Sequence, residues 1–263
     1  MATLHYLDSG SPADPAVVFL HAAPLSSKMW QPQLDRLGDD FYCLAPDLPG
    51  HGGSRDLGPF ALEDAALQVA EFIRARVPGG KANLVGLSLG GAVTLTLLRV
   101  APEVVARAMV SGTAARLGGW LGRLSLALVW MLRYMPAEKQ AQAALDALDV
   151  PPAHRDLVWE DLVEGSTEGY NRAIFKALMA MELPEQVGCP LLVAVGEKET
   201  IPARQAAQKL LARYPRAVGV TAPGLKHLWN LQDPALFSET VRAFATGRPL
   251  PEKLVLNRPL QEG

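Results

Sequence analysis

The strongest constraint on the fold is a series of short apolar runs that alternate with segments of helical periodicity. Residues 16–20 are apolar at every position, as expected for a β-strand that is covered on both faces. Residues 62–77 instead repeat apolar side chains every three or four positions, from Leu62 to Ile73, which is typical of a helix. Because the two patterns alternate over most of the chain, the sequence predicts an α/β fold with a mostly parallel central sheet flanked by helices.

One long stretch departs from this alternation. Residues 114–184 show no convincing strand pattern, and the segments with helical spacing are 117–135, 137–148, 153–164 and 167–181. The insertion comes before the last two predicted strands. It therefore falls at the carboxyl ends of the strands, where open α/β sheets bind their ligands. We expect it to form a helical cap over a site.

The rest of the chain divides into two parts. Residues 1–113 and 185–246 form the predicted α/β core. Residues 247–263 are rich in proline, and we expect them to be an irregular surface tail.

Composition argues against several classes of protein. The 263 residues, 49% of them apolar, can bury a sizeable core, and the formal net charge of −2 gives no basic surface for nucleic acid. The most apolar window, 120–135, is too short for a bilayer and contains two arginines, so we expect no membrane span. The chain starts without a signal-peptide pattern, and its only cysteines are Cys43 and Cys189. These features predict a cytoplasmic protein with two reduced, buried thiols.

The stretch with the most chemical content lies at residues 83–91. An apolar run ends there in Gly86-Leu87-Ser88-Leu89-Gly90, and an apolar helical pattern follows directly. A strand, a sharp turn and a helix in this order expose a serine hydroxyl at the tip of the turn, which is called a nucleophile elbow. Glycine suits positions 86 and 90, because side chains there would collide as the chain folds back. Ser88 is therefore a candidate nucleophile.

A serine nucleophile needs a histidine to take its proton. His227 lies between the last predicted strand and the last helix, which gives the chain order nucleophile, acid, histidine that accompanies such an elbow. His21 and His51 follow strands and could face the site, although a histidine bonded to local backbone is the plainer explanation for each. His5 and His154 are interpreted as bystanders.

The histidine in turn needs a carboxylate that orients it. Glu197 and Glu199 both follow the predicted strand 191–195. Glu199 lies further into the loop, where it can reach across to His227, and it is the preferred candidate. Glu197 adjoins Gly196 and is better suited to a turn or an ion pair.

An oxyanion hole requires two backbone N–H groups close to the serine. Leu89, the residue after Ser88, supplies the first candidate. The loop after strand 16–20 supplies the second, with Ala23 the best placed residue. Taken by itself, this loop could also be an ordinary turn at the end of a strand.

These residues resemble the α/β-hydrolase superfamily, and the likeness extends to about residue 245. The matching segments are His21-Ala22-Ala23-Pro24, Asp47-Leu48-Pro49-Gly50-His51-Gly52-Gly53-Ser54, Gly86–Gly91 and Gly224–His227. The resemblance implies the fold, the helical cap and a triad of Ser88, Glu199 and His227.

The chain departs from the family pattern at four positions. Glu199 stands where aspartate is usual, so its longer side chain requires a slightly retracted backbone. Lys226 replaces a glycine before the histidine, and Gln232 stands where a glutamate often follows. Ala22 replaces the usual glycine of the oxyanion loop, which disfavours a positive φ there.

A serine at position 88 excludes the reactions of those family members that attack with an aspartate. Acyl transfer from an ester to water is the usual reaction of a serine nucleophile, so ester hydrolysis is the predicted chemistry. A carbon–carbon bond hydrolase or a cofactor-free lyase could use the same triad. A catalytically idle fold that acts as a small-ligand receptor is a further alternative. We expect a small-molecule substrate and neither a cofactor nor a metal.

The cap suggests an apolar substrate. Its aromatic and methionine side chains could line an acyl or aryl pocket, although packing within the cap explains each of them singly. The candidate pocket residues are Trp120, Trp130, Met131, Trp159 and Trp229. The helix over 120–135 is apolar nearly all round and could alternatively form the interface of a homodimer.

Overall fold

The computed structural model describes residues 3–58, 60–113, 135–165 and 168–257. Its centre is an eight-stranded sheet in the order β1-β3-β2-β4-β5-β6-β7-β8. The strands are β1 (Tyr6–Ser9), β2 (Ala16–Leu20), β3 (Tyr42–Pro46), β4 (Ala82–Leu87), β5 (Val105–Ser111), β6 (Leu191–Gly196), β7 (Val218–Ala222) and β8 (Val255–Asn257). Strands β2 to β7 are parallel to one another, whereas the edge strands β1 and β8 pair antiparallel with β3 and β7. The predicted fold class is confirmed.

Helices cover both faces of this sheet. They are α1 (Gln31–Leu37), α2 (Leu62–Arg76), α3 (Leu89–Val100), α4 (Ala137–Ala147), α5 (Arg155–Glu164), α6 (Glu168–Met179), α7 (Ile201–Arg213), α8 (Trp229–Gln232) and α9 (Pro234–Thr246). Strand β2 shows why uniformly apolar strands form here. Val18 and Leu20 belong to the hydrophobic cluster on one face, with α2 and α3, and Val17 and Phe19 to the cluster on the other, with α1 and α9. Full burial of such side chains contributes roughly 1.5–3 kcal/mol each.

Residues 27–37 do not form one continuous helix but a 3-10 turn, Ser27–Trp30, followed by α1. Pro32 favours a new helix start there, since it has no N–H to donate and its φ is already helical. The tail is also not wholly irregular, because β8 pairs with β7 and the Asn257 amide donates to the Thr221 hydroxyl at 2.6 Å.

Helices α4 to α6 follow β5 and precede β6, so the insertion begins at the carboxyl end of the sheet. Helix α5 contacts the 3-10 turn Ser27–Trp30 of the core. Trp120, Trp130, Met131 and most of the predicted helix 117–135 lie outside the described residues, and the proposed homodimer interface stays a prediction. Among the described helices, none has the length and apolar character needed to cross a membrane.

Candidate active site

Ser88 occupies the sharp turn between β4 and α3. Its φ of 55° and ψ of −111° lie in a region that residues with a side chain rarely adopt. A Cβ on Gly86 would overlap the carbonyl oxygen of Gly90, and one on Gly90 would overlap that of Leu20. The steric reason for both glycines is thus confirmed, and so is the strand–turn–helix geometry.

Hydrogen bonds to neighbouring strands and loops hold this strained turn. The Ser88 N–H donates to the Ser111 carbonyl at 2.8 Å, and the Thr113 hydroxyl donates to the Ser88 carbonyl at 2.8 Å. The Gly90 N–H donates to the His21 carbonyl at 3.0 Å. Backbone strain of this kind costs about 1–3 kcal/mol and persists only where the surroundings fix it. The backbone of Ser88, which carries a partly exposed side chain, is therefore held in one conformation.

His227 and Glu199 meet at the ends of adjacent strands. Nδ1 of His227 donates to Oε2 of Glu199 at 2.7 Å, and Oε1 of Glu199 accepts from the Thr200 N–H at 2.9 Å. The Glu199 side chain is only 2% exposed, whereas that of His227 is 22% exposed. A buried carboxylate with both oxygens bonded fixes the imidazole so that Nε2 is left to accept a proton.

Glu197, the alternative acid, has a different partner. Its carboxylate accepts from the Gly224 N–H at 2.7 Å on the exposed side of the loop. Glu197 therefore ties the loop after β7 to the loop after β6, as expected for a turn residue.

The loop that carries His227 is held by the two residues that depart from the family pattern. The side-chain oxygen of Gln232 accepts from the Lys226 N–H at 2.7 Å, and its amide nitrogen donates to the Asp149 carbonyl at 3.1 Å. The Lys226 ammonium lies 3.4 Å from the Asp149 carboxylate. A glutamate at 232 could accept but not donate, so glutamine suits a position that joins the histidine loop to the segment after α4.

Gly112 is a site residue that the sequence analysis missed. It follows β5 with a φ of +56°, and a Cβ there would lie 2.9 Å from Nδ1 of His227 and 3.1 Å from Oε2 of Glu199. Only a glycine at position 112 leaves enough space for the histidine–carboxylate pair as it is placed here. The one available signal was a glycine directly after a strand that neighbours the elbow strand.

The loop after β2, residues 21–26, is called the β2 loop here. Its Leu25 N–H donates to the Ala22 carbonyl at 2.8 Å, and Ala22 keeps a negative φ, as its side chain requires. Within the described residues, neither the Ala23 N–H nor the Leu89 N–H donates a hydrogen bond. Leu89 is the first residue of α3, where helix N–H groups have no partner within the helix and favour a negative charge.

Trp229 was wrongly assigned to the pocket. Its side chain is fully buried, its ring centroid lies 4.4 Å from that of Phe237, and its Nε1–H donates to the Ser111 hydroxyl at 2.8 Å. It therefore offers no surface to a substrate and instead packs on Phe237 and binds Ser111 at the end of β5. Trp159 is half-buried on α5 against the hydrophobic cluster, and its role in the pocket stays a prediction.

His21 and His51 serve the backbone rather than the reaction centre. The buried His21 donates from Nδ1 to the Ala22 carbonyl and accepts at Nε2 from the Leu48 N–H, at 3.1 and 2.9 Å. His51 places Nδ1 3.0 Å from the Pro49 carbonyl. Burial lowers the pKa of His21, and burial, with a further contribution from the neighbouring His21 imidazole, lowers the pKa of His51 to about 3. Both imidazoles are thus neutral parts of the loops that surround the site.

Acidification should destabilise the fold through these histidines. The ordinary pKa of 6.5 for His51 falls to about 3 in the folded chain, so the unfolded chain binds more protons between these values. Its contribution to stability is complete above about pH 6.5 and is lost as the pH falls. We expect the free energy of unfolding to drop by about 3 kcal/mol by pH 4 from His51 alone. Urea denaturation at several pH values measures this, and His51→Asn should flatten the dependence.

Both cysteines are free, as expected, but only Cys43 is buried; Cys189 is half-buried. Burial raises the pKa of Cys43 to about 12, which makes it an inert core thiol. Over the described part of the chain, no group of three or more His, Cys, Asp or Glu residues is arranged to hold a metal ion.

The fold, the strained serine between β4 and α3 and the histidine–carboxylate pair are features of α/β hydrolases. The model of the alpha/beta hydrolase family matches residues 17–240, and the chain belongs to this family. It is similar to 3-oxoadipate enol-lactonase 2 of Acinetobacter baylyi, with 25% identity over 91% of this chain and 92% of the relative. It is also similar to the pimeloyl-(acyl-carrier protein) methyl ester esterase of Nitrosomonas europaea, with 29% identity over 90% and 97%.

A solved structure of an enol-lactonase has the same fold. The enol-lactonase of Burkholderia xenovorans superposes with a TM-score of 0.78 and 25% identity, over 92% of this chain and 96% of that one. These relatives are hydrolases, which supports hydrolase activity for this chain.

Proposed function

We propose that the protein hydrolyses a carboxylic ester of a small, mainly apolar substrate through a triad of Ser88, His227 and Glu199. The observation that carries this proposal is the 2.7 Å hydrogen bond between His227 and a buried Glu199, at the strand ends beside a serine held at positive φ. A carboxylate in this position keeps the histidine in the tautomer that accepts the serine proton.

The proposed reaction has two halves. Ser88 attacks the ester carbonyl while Nε2 of His227 takes its proton, and the backbone N–H groups of Ala23 and Leu89 bind the oxyanion. His227 then protonates the leaving alcohol, which departs and leaves an acyl-enzyme. Water, deprotonated by His227, attacks the acyl carbonyl, the bond between the acyl carbon and Ser88 Oγ breaks, and His227 returns the proton to Oγ as the free acid leaves.

The relatives favour an ester over other substrates of this triad. A methyl ester esterase and an enol-lactonase both act on a carboxylic ester bond, since a lactone is a cyclic ester. Carbon–carbon bond hydrolysis, cofactor-free lyase activity and an idle ligand receptor remain the alternatives. A cytoplasmic location stays a prediction from the sequence.

A fluorophosphonate probe tests the proposal. It reacts only with an activated serine, so mass mapping should find the label on Ser88 of the folded wild-type protein. A panel of aryl and alkyl esters, varied in acyl length and leaving group, then measures turnover. Folded protein that is neither labelled at Ser88 nor active on any ester would contradict the proposal.

Glu199→Gln should reduce kcat by about 10³-fold and leave a measurable residual activity, since the amide can present its NH₂ to Nδ1 and favour the wrong tautomer. Glu197→Gln is the matched control, because it removes a carboxylate from the same loop but keeps an oxygen for the Gly224 N–H. Steady-state kinetics on a short aryl ester give both values. Full activity in Glu199→Gln would reassign the acid.

A further inference from the structure

The two ends of the β2 loop are held by different parts of the molecule. At the start, the core fixes His21 through the Gly90 and Leu48 N–H groups. At the end, Ser26 is bound by the cap. Its N–H and its hydroxyl both donate to Oδ2 of Asp161 on α5, at 2.8 and 2.6 Å, across 135 residues of sequence.

This contact is shielded from water. Ser26 is 1% exposed and Asp161 is 5% exposed. Hydrogen bonds to a charged acceptor are stronger than those between neutral groups, and removal of one partner leaves buried donors unsatisfied. The same carboxylate oxygen receives both bonds, so Ser26 is tied to α5, while the next N–H along the chain, that of Ser27, donates to Oδ1 of Asp47 in the core at 2.6 Å.

The end of α5 also packs directly against the β2 loop. Gly165, the residue after α5, packs so closely on Pro24 that a Cβ on it would overlap the Pro24 side chain. Pro24 adjoins Ala23, whose N–H is the proposed second oxyanion donor. The cap therefore contacts the loop immediately after that donor and again two residues further on.

Two further ion pairs join α5 to the core, but neither includes Ser26 or Asp161. Lys28 pairs with Glu160 at 2.7 Å, and Arg55 pairs with Glu164. All four side chains are about half-exposed or more, and exposed ion pairs contribute little. The bond of Asp161 to Ser26 is thus the main polar link between α5 and the β2 loop among the described residues.

We propose that Asp161 is a positioning residue, which holds the β2 loop so that the Ala23 N–H points to the oxyanion, and that docking of the cap helix α5 thereby completes the oxyanion hole. This inference rests on the proposed ester hydrolysis. An oxyanion donor acts only where its N–H reaches the developing negative charge, and a displacement of about 1 Å can cost about 100-fold in rate. Asp161 would act on the transition state more than on the bound substrate.

The chain offers a graded set of variants. Asp161→Ala removes the acceptor. Asp161→Asn keeps an oxygen that can accept both hydrogen bonds from Ser26. Burial raises the pKa of Asp161 because it disfavours the charged carboxylate, so a neutral amide at this position removes that desolvation cost. Glu160→Gln is the control, since it alters an exposed carboxylate of the same helix that does not contact the loop.

We expect Asp161→Ala to lower kcat on a short aryl ester by about 10- to 100-fold, with KM changed less than about threefold. Asp161→Asn should recover most of the wild-type kcat, and Glu160→Gln should match the wild type. An aryl trifluoromethyl ketone forms a tetrahedral adduct whose oxyanion occupies the hole. Its Ki should therefore rise in Asp161→Ala by the same factor by which kcat falls.

Three results would overturn the inference: unchanged kcat in Asp161→Ala, a rise in KM alone, or an Asp161→Asn variant no better than Asp161→Ala. If Asp161→Ala does not fold, Ser26→Ala removes the hydroxyl bond to Asp161 and the long bond that this hydroxyl accepts from the Lys28 N–H at 3.4 Å, but keeps the Ser26 N–H bond to Asp161. It should lower kcat in the same sense by a smaller factor. Wild-type protein that fails to label at Ser88 would instead reject the proposed function, and this inference with it.

Discussion

Replacement of Ser88 by alanine should abolish ester hydrolysis, with a loss in kcat of about 10⁴- to 10⁶-fold, and should prevent labelling by the fluorophosphonate probe. The hydroxyl forms the acyl-enzyme bond, and no other side chain can supply it. His227→Ala should cost about as much, because a serine without its base keeps its proton at neutral pH. Both values come from kcat on one aryl ester.

The double variant gives the sharper test. Residues that act as one unit show strongly non-additive effects, so Ser88→Ala with His227→Ala should be no slower than either single variant. Circular dichroism and thermal unfolding serve as the control, since both side chains are partly exposed and neither supports the core. Additive losses would mean that the two residues act in separate steps, and residual activity near the wild-type level would exclude Ser88 as nucleophile.

Gly112→Ala is expected to lower kcat by about 100-fold although Gly112 takes no part in the chemistry. The new methyl group would lie 2.9 Å from Nδ1 and 3.0 Å from Cε1 of His227, and 3.1 Å from Oε2 of Glu199. The pair must move by a few tenths of an ångström or rotate, and the histidine then no longer faces Ser88 correctly. A 100-fold loss corresponds to about 2.7 kcal/mol of transition-state stabilisation.

The control must separate this collision from backbone strain, because Gly112 has a φ of +56°. Gly79→Ala does so, since Gly79 has a φ of +79° with no heavy atom within 4 Å of the added Cβ. Both variants should lose stability, but only Gly112→Ala should lose kcat per folded molecule. Equal kcat values for the two variants would show that space at 112 is not needed by the pair.

Local patterns in the sequence predicted the sheet and the elbow, for physical reasons that are themselves local. Strand β2 is apolar throughout because both of its faces are covered, and Gly86 and Gly90 are required by a turn that closes within five residues. The chain order of Ser88, an acid and His227 is the order that accompanies such an elbow, and parallel strands place all three at the same edge of the sheet.

The sequence favoured Glu199 over Glu197 as the partner of the histidine, but only the structure shows which of the two carboxylates faces it. Glu197 and Glu199 differ by two positions in one loop, and only the folded loop turns one of them to the Gly224 N–H and the other to His227. Trp229 was misplaced for the same reason. A tryptophan near a catalytic histidine can face a pocket or the core, and the Ser111 hydroxyl that binds its N–H lies 118 residues away.

The sequence by itself determined the alternation of strands and helices and the position of the strained serine, because both depend on neighbours along the chain. The tertiary structure alone decided what surrounds that serine. The close approach of Gly112 to the histidine–carboxylate pair, the bond of Trp229 to Ser111 and the bonds that Ser26 donates to Asp161 join residues far apart in sequence. Contacts of this kind leave no periodic pattern, since they arise only when separate segments pack together.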